Sequence, residues 1–103
     1  MDEKYSAITT KQRAYLRGLA NAMEPILHIG KQGITENLIQ QAQEALAARE
    51  LIKGTVQENA PIDAREAIAE LCRLCCAEPV QVIGRRFVMY KKSHDHPKIE
   101  LPR

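Results

Sequence analysis

Two glycines, Gly30 and Gly33, enclose Lys31 and Gln32 in the stretch HIGKQGIT, residues 28–35. Glycine has no Cβ, so it adopts positive φ angles readily and lets a ligand come close to the backbone. Lys31 adds a full positive charge, and the amide of Gln32 can donate a hydrogen bond. These residue types in this order suit a phosphate or sugar oxygen. A tight turn without a ligand would also explain the two glycines, and the loop alone does not decide between these interpretations.

The spacing of the glycines excludes the two common nucleotide-binding loops. A dinucleotide-binding fold requires G-x-G-x-x-G, and a P-loop requires G-x-x-x-x-G-K-[ST]. The stretch GKQG, residues 30–33, matches neither pattern. A G-x-x-G loop that clamps a nucleic-acid backbone, as in KH domains, remains possible.

Charge is divided unevenly along the chain, although the formal net charge of the whole is only +2. Residues 1–33 carry a net charge of +2, residues 34–78 carry −4, and residues 79–103 carry +4. If the fold brings the two basic ends together, the protein acquires a basic face of the kind that binds polyanions. Unequal thirds can also be ordinary solvated surface. Together with the loop, they favour RNA.

Seven basic side chains are the candidate phosphate contacts outside the loop: Lys11, Arg13 and Arg17 near the start, and Arg85, Arg86, Lys91 and Lys92 near the end. Arg13 and Arg17 are four residues apart on a predicted helix, where like charges repel slightly. A polyanion opposite them would relieve that repulsion. Exposed lysine and arginine also keep proteins soluble, and edge-strand lysines guard against sheet aggregation.

Composition limits the kinds of function that the chain can serve. Its 103 residues fit one domain, and 45% hydrophobic content is ordinary for a globular protein. With one Phe, three Tyr and no Trp, we expect recognition of RNA shape and phosphates rather than base sequence. No apolar stretch approaches the ~18 residues of a membrane span, and the acidic start does not resemble a signal peptide. We expect a cytoplasmic monomer without a cofactor.

Hydrophobic periodicity, helix caps and prolines predict seven elements. The predicted helices cover residues 10–23, 35–49 and 63–75. Their predicted N-cap residues are Thr9, Thr35 and Asp63. The predicted strands cover residues 26–29, 50–56, 79–84 and 85–92, and the last two form a hairpin that turns near Gly84 and Arg85.

This order predicts an α/β fold: one domain with three helices and a four-stranded mixed sheet. Right-handed crossovers make the first three strands parallel, and the hairpin makes the fourth antiparallel to the third. We expect a flexible N-terminus over residues 1–8, an RNA-binding domain over residues 9–92 and an extended tail over residues 93–103. The tail contains two prolines and few residues suited to packing.

Four ordered motifs lie between Ile8 and Tyr90: TKQR (10–13) with LRGLA (16–20), IGKQGIT (29–35), ELIK (50–53) and QVIG (81–84). Together they closely resemble the CRM domain, and more specifically the stand-alone bacterial YhbY-type RNA-binding proteins. The resemblance implies a fold similar to the carboxyl-terminal domain of bacterial translation initiation factor three. It also implies association with ribosomal RNA in precursors of the large ribosomal subunit, and it assigns the family's GxxG loop to Gly30–Gly33.

Two features depart from the family pattern. Gly54 lies where the second strand usually has a β-branched residue, which predicts either a bulge or close packing at that point. The cysteines of the third predicted helix are not part of the pattern either.

A metal or redox site is one alternative. Cys72, Cys75 and Cys76 together with His94 and His96 supply suitable ligand types. However, the cysteines fall late in a predicted helix, where the dipole raises a thiol pKa, and there is no second C-x-x-C. Free thiols explain them better.

An enzyme and a protein-only adaptor are the remaining alternatives. Ser93, His94 and Asp95 include the residue types of a catalytic triad, but three consecutive residues cannot take those roles together. An adaptor would need an exposed apolar patch, which the sequence does not indicate.

Overall fold

The computed structural model describes residues 8–103, which form three helices and four strands in the predicted order. The helices are α1 (Thr10–Ala20), α2 (Glu36–Arg49) and α3 (Ala64–Cys75). The strands are β1 (Leu27–Ile29), β2 (Leu51–Val56), β3 (Glu78–Ile83) and β4 (Arg86–Tyr90). The predicted flexible N-terminus lies outside the described residues except for Ile8, which is buried. None of the helices in residues 8–103 has the length and apolar composition of a membrane span.

Polar side chains cap the start of each helix, as the sequence predicts. The caps are Thr9 with Gln12 at α1, Thr35 at α2, and Asp63 with Glu66 at α3. α1 ends at Ala20, earlier than the predicted residue 23. The helix ends in a 3₁₀-type turn, because the N–H of Asn21 donates to the carbonyl oxygen of Gly18, three residues earlier, at 3.3 Å.

β4, the last strand in the chain, lies inside the sheet, whose order is β1-β2-β4-β3. β1 and β2 are parallel, and β4 is antiparallel to both β2 and β3. The predicted mixed sheet is therefore confirmed, with β1, β2 and β3 running in one direction. We call the end of the sheet at Ile29, Val56 and Ile83 the loop end, and the end at Leu27, Leu51 and Glu78 the tail end.

Side chains alternate between two cores on opposite faces of the sheet. α2 and α3 cover the first core, to which β4 contributes Phe87 and Met89. α1 covers the second core, to which β4 contributes Val88 and Tyr90. The side chains of β4 thus alternate between the two cores, and the sheet is a central layer with helices on both faces.

Gly54 gives β2 room for an aromatic ring on the neighbouring strand. It pairs with Phe87 of β4, and a Cβ on Gly54 would lie within 3.0 Å of three atoms of that ring. Close packing, rather than a bulge, therefore explains the departure from the family pattern at this position. The sheet's irregularity lies instead in β3, between Pro79 and Gln81.

The tail, residues 93–103, forms no helix or strand but packs against the domain. Ile99 and Leu101 lie against the second core, and the side-chain amide of Gln12 donates to the carbonyl oxygen of Pro102 at 2.8 Å. The buried carboxylate of Glu50 accepts hydrogen bonds from three tail N–H groups, those of Ser93, Lys98 and Ile99. The tail thus makes more packing contacts than its composition indicates.

Candidate nucleic-acid interface

The GxxG loop joins the end of β1 to the start of α2 at the loop end of the sheet. The N–H of Gly33 donates to the carbonyl oxygen of Gly30 at 2.9 Å and closes a tight turn. Gly33 has a φ of 70°, a left-handed conformation that favours glycine. Lys31 and Gln32 occupy the tip of the turn and are exposed. The loop therefore presents both polar side chains to solvent.

Both glycines also let this loop pack against the segment that follows β2. A Cβ on Gly30 would lie 3.2 Å from Oε1 of Gln57, and one on Gly33 would lie 3.2 Å from Cγ of Pro61. The N–H of Gln57 also donates to the carbonyl oxygen of Ile29 at 2.8 Å. Contact between two loops is thus a structural reason for the glycines that exists beside any role in ligand binding.

An open hollow of about 280 Å³ lies beside the turn. Its lining residues are His28, Gly30, Lys31, Gln32, Gly33, Thr35 and Leu38. It therefore reaches the first turn of α2, where aligned peptide dipoles leave a partial positive charge. The lining includes one cation and no carboxylate; the acidic residue of that turn, Glu36, is exposed outside it. A lining of this composition favours an anion over a cation.

Arg85 and Arg86 lie at the same end of the sheet as the loop. They follow Gly84, which lies in the tight turn of the β3–β4 hairpin and has a φ of 57°. The guanidinium of Arg85 is 3.9 Å from the carboxylate of Glu58, an exposed and therefore weak ion pair. Arg86 is exposed on the sheet face that carries α1. With Lys31, three of the predicted cations share the loop end.

The basic residues of α1 differ in how available they are. Lys11 is exposed. Arg13 is partly buried, because its Nε donates to the carbonyl oxygen of Pro79 at 3.0 Å and its guanidinium lies 3.9 Å from the carboxylate of Glu78. Arg13 thus ties α1 to β3 at the tail end. Arg17 is partly buried in the last turn of α1.

Lys91 and Lys92 lie at the tail end, away from the GxxG loop. The Nζ of Lys91 donates to the carbonyl oxygen of Cys75 at 2.9 Å and so caps the end of α3. Lys92 is exposed and lines a hollow of about 670 Å³ between α1 and the tail. The fold therefore distributes the predicted cations over both ends of the sheet, and residues from both basic ends of the sequence meet at the tail end, where α1 contacts β3 and the tail.

Residues 8–91, nearly the whole of the described chain, match the family model described as the CRS1 / YhbY (CRM) domain. The chain belongs to the CRM domain family. This confirms the resemblance carried by the four sequence motifs.

Two relatives of this CRM domain are bacterial proteins of similar length. "Probable RNA-binding protein YqeI" of Bacillus subtilis (strain 168) is 41% identical over 95 residues, which cover 92% of this chain and 99% of the relative. An "RNA-binding protein" of Haemophilus influenzae is 35% identical over 98 residues, or 95% of this chain and 98% of the relative. The family and these relatives are RNA-binding proteins rather than enzymes, which confirms the prediction against catalysis.

A solved structure shares the fold of this CRM domain. The solution structure of the hypothetical protein SAV1595 from Staphylococcus aureus superimposes with a TM-score of 0.77 at 45% sequence identity. The match covers 92% of this chain and 99% of that protein. The helices and mixed sheet described above are therefore shared with an experimentally determined structure.

The cysteines of this CRM domain are thiols at the end of α3. Cys72 and Cys75 are buried, and burial raises the pKa of Cys72 to about 12 and raises that of Cys75 as well. Cys76 is exposed at the helix C-cap. Within residues 8–103, no three His, Cys, Asp or Glu side chains are placed to hold a metal ion. The metal alternative has no ligand set in this part of the chain.

Sequence reasoning missed three residues near the GxxG loop. His28 lines the hollow. The sequence feature that could have identified it is its position as the single polar residue between the two buried aliphatic residues of β1. Gln57 and Pro61 support the loop from behind. They had no local signal, because their contact with the glycines depends on the pairing of β1 with β2.

Proposed function

We propose that this CRM domain binds RNA by seating a backbone phosphate in the hollow beside the GxxG loop. The observation that carries the proposal is the open hollow itself, which reaches the start of α2 and is lined by Lys31 and by no carboxylate. Free N–H groups and the helix dipole favour phosphate at such a position. The names of the relatives support RNA as the ligand.

The RNA that we propose is ribosomal RNA in precursors of the large ribosomal subunit, bound by a cytoplasmic monomer that assists assembly. The support for this partner is the likeness to the YhbY-type proteins. A loop that holds a phosphate reads RNA shape rather than base sequence, and a folded ribosomal RNA offers such shapes.

Removal of the loop cation tests the phosphate site. We expect Lys31→Ala to weaken binding to an RNA probe about tenfold, since a charge-assisted contact is lost. Arg49→Ala is the matched control, because it removes one exposed cation from the other end of α2. Fluorescence anisotropy with a labelled ribosomal RNA fragment measures both. Equal affinities of the two variants would contradict the proposed site.

A pair of substitutions at Gly33 separates charge from backbone strain. Gly33→Asn and Gly33→Asp both add a Cβ near Pro61 at a left-handed φ, but only aspartate adds a negative charge. We expect Gly33→Asp to bind RNA at least about tenfold more weakly than Gly33→Asn. If the two bind alike while both remain folded, no anion occupies the hollow.

Salt dependence tests whether phosphate contacts dominate. The logarithm of the association constant should fall with the logarithm of salt concentration by about 0.7–0.9 per phosphate neutralised. Lys31→Ala should reduce that slope by about one contact, and a slope near zero for the parent protein would contradict backbone recognition.

The cellular partner is tested by sedimentation of extract through a sucrose gradient. We expect the protein to migrate with large-subunit precursors and to move to the top of the gradient after nuclease treatment. A protein that stays at the top without nuclease, or that sediments with another particle, would contradict the ribosomal assignment.

A further inference from the structure

α1 covers only part of its face of the sheet. Beneath it lie the apolar side chains of the second core, which include Val80, Val88 and Tyr90. Towards the loop end, the side chains on the same face are accessible: His28 and Arg86 are exposed, and Ile83 retains 62% of its surface. Among residues 8–103, no helix covers this part of the sheet, which therefore forms an open surface.

The accessible residues form one row across all four strands. His28 of β1 pairs with Thr55 of β2, Thr55 pairs with Arg86 of β4, and Arg86 pairs with Ile83 of β3. We call these four residues the cross-strand row. Because adjacent strands lie about 4.8 Å apart, the row is roughly 14 Å long.

The chemistry of this surface suits RNA. In the next register position, Lys53 pairs with Val88, and Val88 pairs with Gln81, so Lys53 and Gln81 share this face with the row. The row and these two neighbours include two permanent cations and no carboxylate. Hydroxyl, amide and imidazole groups can form hydrogen bonds with 2′-hydroxyls, and an exposed aliphatic side chain can pack against ribose or a base.

The row is continuous with the phosphate hollow. His28 lines the hollow and is also the first member of the row. An RNA strand whose phosphate is seated beside Gly30–Gly33 therefore meets the cross-strand row as its next protein surface.

We propose that the cross-strand row binds RNA with unpaired bases that continues from the phosphate held by the GxxG loop. Unpaired bases are required because polar side chains of the sheet can reach the Watson–Crick edges of bases only when those bases are not paired. The row thus makes the binding site an extended path from β1 to β3. This inference rests on the proposed function of the loop, and the experiment below separates the two.

A negative charge at the far end of the row tests the path. Ile83 lies on the edge strand β3 and is mostly exposed, so Ile83→Glu should not prevent folding. Ala48→Glu is the matched control, because it adds the same charge at an exposed position of α2 on the other side of the sheet. The probe is an unstructured ribosomal RNA fragment of about 12 nucleotides, within the range that a single domain binds.

We expect Ile83→Glu to weaken binding of this probe about tenfold and Ala48→Glu to change it less than about twofold. Amide NMR signals of Thr55 and Ile83 should also shift in the parent protein when RNA is added. If Lys31→Ala weakens binding but Ile83→Glu and Ala48→Glu behave alike, the path across the sheet is wrong and the loop site stands. If Lys31→Ala has no effect, the loop site itself is wrong, and the path that begins there is overturned with it.

Discussion

The carboxylate of Glu50 accepts a hydrogen bond from the backbone N–H of Lys98 at 2.7 Å, across 48 residues of sequence. Glu50 is fully buried at the end of α2, with a φ of 67°. Two further N–H groups, from Ser93 and Ile99, donate to the same carboxylate at 2.6 and 2.8 Å. One acidic side chain therefore holds the tail against the domain.

Replacement of this carboxylate should release the tail. We expect Glu50→Ala to lower the free energy of unfolding by about 2–4 kcal/mol, because three backbone N–H groups lose a charged and buried partner. Urea unfolding measures the loss, and hydrogen exchange should show faster exchange at Lys98 and Ile99. Glu44→Ala, at an exposed position on the same helix, should change stability by less than about 0.5 kcal/mol. Unchanged protection of the tail amides would contradict this role.

Acid should weaken the same contact. Burial alone would raise the pKa of Glu50, but the three N–H groups and nearby Lys92 together hold that pKa below its ordinary value of 4.5. The ionised carboxylate thus contributes stability that is fully present above pH 4.5 and is lost as the pH falls through the lower, folded-state pKa. We expect the stability difference between the parent and Glu50→Gln to shrink on acidification below that point. A difference that is constant between neutral and acidic pH would contradict this account.

A methyl group at Gly54 should disturb the first core. Its Cβ would collide with the ring of Phe87, and overpacking of this kind costs about 1–3 kcal/mol. Gly18→Ala is the contrasting control, because Gly18 lies within α1 with no atom within 4 Å of an added Cβ. That substitution should stabilise the protein by about 0.5–1 kcal/mol. Thermal unfolding of the two variants should therefore shift in opposite directions, and a neutral Gly54→Ala would show that the ring moves freely.

Alkylation should distinguish the three cysteines. Burial raises the pKa of Cys72 to about 12 and raises that of Cys75, whereas Cys76 is exposed. Since the thiolate is the reactive form, iodoacetamide at mildly alkaline pH should add once to the folded protein, at Cys76. Mass spectrometry identifies the site, and the same reaction in urea should modify all three thiols. Rapid modification of Cys72 in the folded protein would show that α3 opens.

The two ends of the sheet should differ in their contribution to RNA affinity. Arg86 lies at the loop end and Lys92 at the tail end, and both are exposed. We expect Arg86→Ala to weaken RNA binding about five- to tenfold and Lys92→Ala to weaken it about twofold or less. Both remove one positive charge, so any difference reports position rather than net charge. A larger effect of Lys92→Ala would place the RNA at the tail end.

Local sequence signals predicted most of the elements. Thr9, Thr35 and Asp63 each cap the start of a helix, as their chemistry indicates, and the last two strands form a hairpin that turns at Gly84 and Arg85, as predicted. These features depend on residues within one turn or one strand of each other. The strand order did not follow from such signals, because the position of β4 between β2 and β3 depends on which pairing buries more apolar surface.

Contacts between distant parts of the chain were the features that sequence reasoning did not recover. By sequence, Glu50 is an ordinary charged residue at the start of the second predicted strand, yet it is buried because the tail covers it. Lys91 was a predicted RNA contact, but its amine donates a hydrogen bond to a backbone carbonyl at the end of α3. The accessible row at the loop end could not be seen either, since it depends on how far α1 extends over the sheet.

The interior position of β4 has a consequence for biosynthesis. Within the described part of the chain, β3 pairs only with β4, and β4 is also the partner that joins β3 to β2. A nascent chain that stops before residue 86 would therefore expose the hydrogen-bonding edges of β2 and β3 with no strand to bridge them. Completion of the sheet must therefore wait until residues 86–90 have been synthesised, so the domain cannot close before its last strand is available.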